Sequence, residues 1–309
     1  MSIQQYLNTI KNAVYGKDVR QAIHDAIHQC YEDGKSGELD LVAREGVAEV
    51  RANIANPNLL INGDFRNPVN QRGLTRYEGS EEKDVYTIDR WKLEKSSSAR
   101  IVEVLDGCVK ITNNNTSYNT KFLQVFEHTL PLDDYTLTVK VKSVSGTATA
   151  RIGEKYIELV EGINHVSTTE ALTNVYIGVY TNSYIEIEYI KLERGTIATP
   201  FAPRLYSEEL LLCRRFYREN AVRLTSWQHT TSYAYFAYNY EPMRVAPVFS
   251  YAGFGEALNH AGAVATVTAV QVLDKTEINR LTIRAVYNDS TTAYYRLISG
   301  KIILDAEIY

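Results

Sequence analysis

The chain has little cysteine, little tryptophan and no strong excess of either charge. Its 309 residues include 3 Cys and 2 Trp, and 33 Lys and Arg stand against 37 Asp and Glu, a formal net charge of -4. Nucleic-acid binding usually needs Lys and Arg clustered on one face, so this balance argues against a nucleic-acid partner. No apolar run approaches the roughly 18 residues of a membrane span, and the polar first residues do not resemble a secretion signal. We therefore expect neither membrane insertion nor a signal peptide.

The cysteines Cys30, Cys108 and Cys213 are far apart in the sequence. Their spacing excludes CxxC chemistry, and an odd number leaves at least one thiol unpaired. We expect three reduced thiols with mostly structural roles.

Tyrosine is unusually abundant, with 23 Tyr beside 8 Phe. Because Tyr combines a large apolar ring with a hydroxyl that needs a partner, this composition suits β-sheets and adhesive surfaces. The chain length predicts two or more domains, at roughly 150 residues each.

The N-terminal region, residues 1–57, has the spacing of helices. Val19, Ile23, Ile27 and Tyr31 lie on one apolar stripe of a predicted helix that begins near Asp18 and ends at Gly34. Farther on, the steps of 4, 4, 3 and 4 residues between successive apolar positions are typical of a short coiled-coil seam. The seam residues are Leu39, Ala43, Val47, Val50 and Ile54. Since so little chain is available to cover these stripes, we expect burial against copies or a partner.

After Asn56-Pro57-Asn58 the period of the apolar residues changes to two, which predicts a β-sandwich over residues 58–203. A short helix should follow from Ser207 to about Arg218, within a second β domain of residues 204–309. The clearest predicted strands of the sandwich are 99–105, 108–112, 135–143, 147–152, 175–180 and 184–192. Those of the last domain are 221–228, 232–241, 264–273, 279–287, 292–298 and 301–308.

Several stretches resemble one protein family, the tail-fibre and baseplate-associated receptor-binding proteins of bacteriophages and phage-tail-like particles. AVYGKDVRQAIHDAIHQCYEDG, residues 13–34, is similar to the N-terminal segment of upper baseplate and fibre proteins. NLLINGDFRNPVNQRG, residues 58–73, with YTIDRWKL and IEYIKLERGTIATPFAPR, resembles a carbohydrate-binding-module-like jelly roll. EPMRVAPVFS and the ending LDAEIY look like the distal domain of such fibres.

The resemblance implies a mainly β fold: a helical and coiled-coil anchor, a jelly-roll sandwich and a distal β domain. It implies a non-enzymatic homotrimer in a virion or phage-tail-like particle, docked to baseplate or tail proteins through Val19, Ile23, Ile27 and Tyr31. The trimer seam would be Leu39, Val47, Val50 and Ile54. The partner outside the particle would be a surface polysaccharide or teichoic acid. Two alternatives are a purely structural adaptor and a polysaccharide depolymerase, although the chain lacks the repeats of the long β-helix such enzymes use.

Few residues suggest a catalytic or metal-binding site. His24 and His28 are spaced as a metal pair on a helix, but no third ligand is near in sequence, and we expect a solvated helix flank. The side chains of adjacent acidic residues such as Asp133 and Asp134 point in different directions, so they do not suit glycosidase chemistry, which needs two carboxylates on either side of a substrate. We expect no cofactor; by resemblance, a structural calcium ion could use oxygens near Asn62, Asp64 or Asp133.

The strand SYAYFAYNYE, residues 232–241, is the best candidate for ligand contact. Its period of two puts Tyr233, Tyr235 and Asn239 on one face, and the opposite face should be core. Sugar rings pack on aromatic rings, so this face predicts a glycan-binding or intersubunit surface. Trp91 should instead fill the sandwich core. The glycines of YAGFGEAL, residues 251–258, predict a surface loop.

Overall fold

The computed structural model describes residues 5, 8–9, 16–36, 55–95, 99–230, 232–259, 264–273, 278–288 and 296–308. The chain divides into two compact units, residues 1–56 with 199–201 and residues 57–198 with 202–309. The described residues are mainly β, as the sequence predicted, and include two helices. Neither helix has the length and apolar character to cross a membrane.

The first unit contains helix α1, Gly16–Ser36. The predicted end at Gly34 is wrong by two residues, since Gly34 lies within the helix. Of the predicted stripe, Ile23, Ile27 and Tyr31 are 42%, 65% and 61% exposed, and Val19 is half-buried. The coiled-coil seam residues Leu39, Val47, Val50 and Ile54 lie outside the described residues, so that prediction stands as made.

The second unit contains two antiparallel sheets, each with its own apolar core. The strands of the first sheet pair in the order β1-β4-β5-β10-β6-β9-β7-β8, with β3 on β6 and β2 on β3. Their bounds are β1 Arg76–Glu78, β2 Val85–Tyr86, β3 Lys92–Leu93, β4 Arg100–Leu105, β5 Cys108–Asn113, β6 Thr120–Ser145, β7 Ala148–Ile152, β8 Lys155–Glu158, β9 Gly162–Val179 and β10 Ser183–Arg194.

Strands β6 and β9 are much longer than the predicted strands 135–143 and 175–180. Their pairing register shifts between Val125 and Asp133, which divides each into two stretches. The first stretch of β6 pairs with β3 and the second with β10, so the sheet is sandwich-like. The predicted core position of Trp91 is confirmed: it is fully buried and stacks on Phe122 with ring centroids 5.1 Å apart. The jelly-roll topology remains a prediction.

Helix α2, Tyr206–Cys213, leads into the second sheet. Glu208 and Glu209 in its first turn complement the helix dipole, and the helix ends five residues before the predicted Arg218. The second sheet pairs in the order β11-β18-β15-β16-β17-β13-β12, with β14 also on β18. The bounds are β11 Tyr217–Thr225, β12 Gln228–His229, β13 Tyr233–Asn239, β14 Val248–Ala252, β15 Glu256–Asn259, β16 Val264–Val272, β17 Arg280–Asn288 and β18 Arg296–Asp305.

One local prediction for this sheet is confirmed and one is wrong. Gly253 and Gly255 lie exposed in the loop between β14 and β15, as predicted; Gly253 has φ of 76°, and Phe254 between them is buried against Gly300. The expected break between strands 292–298 and 301–308 is absent, because β18 runs through Gly300. A Cβ at Gly300 would lie 2.5 Å from the Phe254 ring, so glycine is needed for close packing.

Candidate functional site

Strand β13 places one row of side chains in the core and the other on the outer face of the second sheet. Ala234 and Phe236 are fully buried, whereas Tyr233 and Tyr235 are half-buried and Asn239 is exposed. This alternation is the one that the period of two predicted. The rings of Tyr233 and Tyr235 meet edge to face, with centroids 5.4 Å apart.

Trp227, which was not among the predicted site residues, extends this pair. It precedes β12, its backbone N–H donates to the Tyr235 carbonyl at 3.0 Å, and its ring centroid lies 5.6 Å from that of Tyr235. The Trp227 side chain is 60% exposed. A large exposed indole beside two tyrosines gives a contiguous apolar surface with polar edges. We call Trp227, Tyr233 and Tyr235 the aromatic patch.

Polar side chains continue the patch across neighbouring strands. Tyr235 pairs with Arg284 on β17, and Arg284 pairs with Gln271 on β16, so these residues form one row across the sheet. The Arg284 guanidinium lies 5.7 Å from the centroid of the Tyr233 ring and donates through Nη2 to Gln271 Oε1. Cross-strand register, rather than nearness in sequence, brings the row together.

Asn239 does not join the aromatic patch. It shares the outer face with Tyr235 but lies four residues farther along β13, which corresponds to roughly 13 Å. Its partner in the register is Arg280, at the start of β17. The structure therefore brings together two of the three predicted ligand residues.

A trough of about 810 Å³ is lined by residues 247–251, which include most of β14, by residues 270–272 of β16 and by Leu281 of β17. Phe249 and Tyr251 form one aromatic wall, with ring centroids 6.0 Å apart. Val272 and Leu281 also line the trough and lie on the core face of the sheet, which they share with the buried Ile283. Gln271 is also among the lining residues, but its side chain bonds to Arg284 on the opposite face of the sheet, so the trough does not continue the aromatic patch.

A separate cluster of charged side chains is buried between the two sheets. Arg90 and Glu307 form an ion pair at 2.7 Å, with side chains 2% and 0% exposed. Arg72 lies between Glu307 at 3.6 Å and Asp89 at 3.4 Å. Gln71 Nε2 donates to Asp89 at 2.6 Å. Arg72 and Arg90, from the segment before β3 of the first sheet, thus pair with Glu307, which follows the last strand of the second sheet.

Backbone bonds and ring contacts reinforce this junction. The Tyr86 hydroxyl donates to the carbonyl of Ile308 at 2.6 Å, and Lys92 Nζ donates to the same carbonyl at 2.9 Å. The Arg90 guanidinium lies 3.6 Å from the centroid of Phe216. Burial raises the pKa of Asp89 to about 7, against the opposing effects of Arg72 and the Gln71 hydrogen bonds. These contacts join the sandwich-like sheet to the second sheet, and the charged side chains are largely shielded from solvent.

The residues suggested for calcium are engaged with other protein groups. Asn62 accepts from the backbone N–H of Val69 at 2.7 Å, and Asp64 accepts from Arg66 at 2.7 and 2.9 Å. Asp133 lies 3.6 Å from Arg194. Three or more His, Cys, Asp or Glu side chains do not converge anywhere in the part of the chain that the structure describes.

The rings of His24 and His28 stack with centroids 6.3 Å apart on exposed helix α1. Asp25 accepts from His24 at 3.1 Å and from Gln21 at 2.8 Å, and these hydrogen bonds lower the pKa of its carboxyl group. All three cysteines are free; Cys108 and Cys213 are buried and Cys30 is exposed.

Comparison with protein-family models gave no match, and no curated protein matched the chain. Among solved structures, recombinant discoidin II of Dictyostelium discoideum is 9% identical with a TM-score of 0.20, covering 66% of this chain and 84% of that one. Wild-type discoidin II from the same organism is 8% identical with a TM-score of 0.21, covering 65% and 82%. Similarity at this level carries no argument about fold or function.

Proposed function

We propose that this chain is a structural and adhesion protein of a phage-type tail, which contacts surface glycans through the aromatic patch. The protein is non-enzymatic in this proposal: it binds a polymer and leaves it intact. Its N-terminal region attaches it to baseplate or tail proteins within the particle. The observation that carries the adhesive role is the exposure of Trp227 beside Tyr233 and Tyr235.

The chemistry of the patch suits a saccharide. Sugar rings present C–H faces that pack on aromatic rings, while their hydroxyls need hydrogen-bond partners at the rim. Here the rings supply the packing surface, and Arg284 and Gln271 supply polar groups within the same row.

Attachment through helix α1 is supported by its exposed stripe. Ile23, Ile27 and Tyr31 present a continuous apolar surface that is unfavourable in water unless a partner covers it. The resemblance of residues 13–34 to baseplate segments supports a tail protein as that partner. We further propose a homotrimer, in which three weak glycan sites act together and gain avidity.

Binding of purified full-length protein to isolated Gram-positive cell-wall polysaccharide tests the adhesive role. Trp227→Ala should weaken binding about tenfold, equivalent to about 1.4 kcal/mol, because the exposed ring loses its stacking contact. Tyr156→Ala is the matched control: Tyr156 is a 70% exposed aromatic residue on the other sheet. Saturable binding that only Trp227→Ala weakens supports the proposal, and equal effects of both variants contradict it.

Light scattering tests the assembly. A trimer should have three times the 35.0 kDa chain mass, whereas a monomer at micromolar concentration would refute the trimer. Replacing Ile27 by Lys should leave the β unit folded but abolish incorporation into particles. Normal incorporation of that variant would contradict a docking role for the stripe.

Two alternatives remain open to the same experiments. A purely structural adaptor would assemble into particles but show no saturable polysaccharide binding. A depolymerase would release reducing ends from the polysaccharide.

A further inference from the structure

Two imidazoles lie one turn apart on the exposed side of helix α1. His24 and His28 are separated by four residues, so their side chains project from the same face of the helix. Both residues are exposed, and their rings stack with centroids 6.3 Å apart. Imidazole nitrogens are preferred ligands of zinc and of the neighbouring divalent transition metals. The helix thus presents two such ligands to solvent side by side.

A carboxylate fixes the orientation of one of these rings. His24 Nδ1 donates to Asp25 Oδ1 at 3.1 Å, and Gln21 Nε2 donates to the same oxygen at 2.8 Å. Because the proton of the neutral imidazole is then on Nδ1, Nε2 carries the lone pair that a metal ion needs. Metal-binding histidines usually donate their other ring N–H to a carboxylate or a carbonyl in this way. The spacing of the histidines is visible in the sequence, whereas this bond depends on the side-chain conformations of the helix.

The two rings need only a small movement to hold one ion. Zinc–nitrogen bonds are about 2.0–2.1 Å long, which places the centroids of two imidazoles on one tetrahedral ion roughly 5 Å apart. The separation in the structure is 6.3 Å. Closing the difference of about 1 Å needs changes of side-chain conformation that exposed residues make within nanoseconds.

We infer that His24 and His28 bind a divalent transition-metal ion of the zinc type, with Asp25 as the positioning residue for His24. The two imidazoles supply two ligands, and water or the side chains of a partner complete the coordination. This inference goes beyond the proposed function and does not depend on it. His24 and His28 directly follow Ile23 and Ile27, so the ion lies at the edge of the exposed stripe that we assign to attachment.

Calorimetric titration of the full-length protein, without an affinity tag, tests the site with zinc chloride as the probe. Wild type should bind zinc at this pair, and calcium chloride should not compete, because calcium prefers oxygen ligands. His24→Asn and His28→Asn should each weaken zinc binding at least about tenfold, since each leaves a single imidazole. His128→Asn is the matched control: it removes an exposed histidine of β6 and should bind zinc as wild type does.

The positioning role of Asp25 is tested against Asp33 on the same helix. Each aspartate accepts from a glutamine four residues earlier, at 2.8 Å and 2.6 Å, and Asp25 also accepts from His24. Asp25→Asn should weaken zinc binding about tenfold, and Asp33→Asn should change it little. Nitrogen NMR signals of the imidazole report which ring nitrogen is protonated. In wild type the proton of His24 should be on Nδ1, and Asp25→Asn should produce a mixture of the two tautomers.

Absence of zinc binding by wild type, or unchanged binding in both His24→Asn and His28→Asn, would overturn the inference. Equal losses in Asp25→Asn and Asp33→Asn would refute the positioning role. If Cys30→Ser abolishes zinc binding while the histidine variants retain it, the exposed thiol is the ligand and the inference is wrong. These measurements do not involve polysaccharide, so their failure leaves the proposed function to its own experiments.

Discussion

Replacing Asp89 by Asn should remove a pH-dependent destabilisation of the folded protein, which arises from burying an ionised carboxylate. The Asp89 carboxyl group is fully buried beside Arg72 and Gln71, and burial raises its pKa to about 7. The corresponding value in an unfolded chain is near 3.8. Between these values the folded state keeps a proton that the unfolded state releases. The free energy of unfolding therefore falls as pH rises through this window, and the cost is complete above about pH 7.

The magnitude follows from the pKa difference. From about pH 5 to the folded-state pKa of about 7 is about two pH units, and each unit corresponds to about 1.36 kcal/mol. Between about pH 5 and about pH 8, the free energy of unfolding of wild type should thus fall by roughly 3 kcal/mol relative to that of Asp89→Asn. Asp89→Asn also weakens the contact with Arg72. A loss of stability from this cause that is independent of pH separates the two curves of unfolding free energy against pH without changing the difference in their slopes.

Urea unfolding at several pH values, followed by tryptophan fluorescence, measures the effect. The free energy of unfolding of Asp89→Asn minus that of wild type should increase by roughly 3 kcal/mol from about pH 5 to about pH 8. Asp106→Asn, in the exposed turn between β4 and β5, is the control for losing a carboxylate. Parallel stability curves for wild type and Asp89→Asn across this range would refute the reasoning.

Two further predictions concern the core and the thiols. Trp91→Ala should lower the free energy of unfolding by about 3 to 5 kcal/mol, because the cavity beside Phe122 cannot close fully; a loss below about 1 kcal/mol in urea unfolding would contradict the packing. A thiol reagent should modify Cys30 in the native protein and spare Cys213, whose pKa burial raises well above its usual value. Mass spectrometry of native and urea-treated protein measures this, and native labelling of Cys213 would contradict its burial.

The sequence predicted the candidate surface in part. The alternation of β13 placed Tyr233 and Tyr235 outside and Phe236 inside, because successive side chains of a strand point to opposite faces. Trp227 carried a usable signal, because it is one of two tryptophans and directly precedes a strand. Arg284 and Gln271 carried none, since their place in the row depends on which strands pair and in which register.

Local patterns in the sequence determined the mainly β character, the stripe of helix α1 and the core position of Trp91, since each depends on spacing within one segment. Tertiary structure alone decided the lengths of β6 and β9, which bend to pair with different strands along their length. It also decided the burial of Glu307 against Arg90, two residues separated by most of the chain. Such contacts arise when sheets pack and water leaves their interface. The free energy of that step depends on all the groups brought together, which no single segment of the sequence specifies.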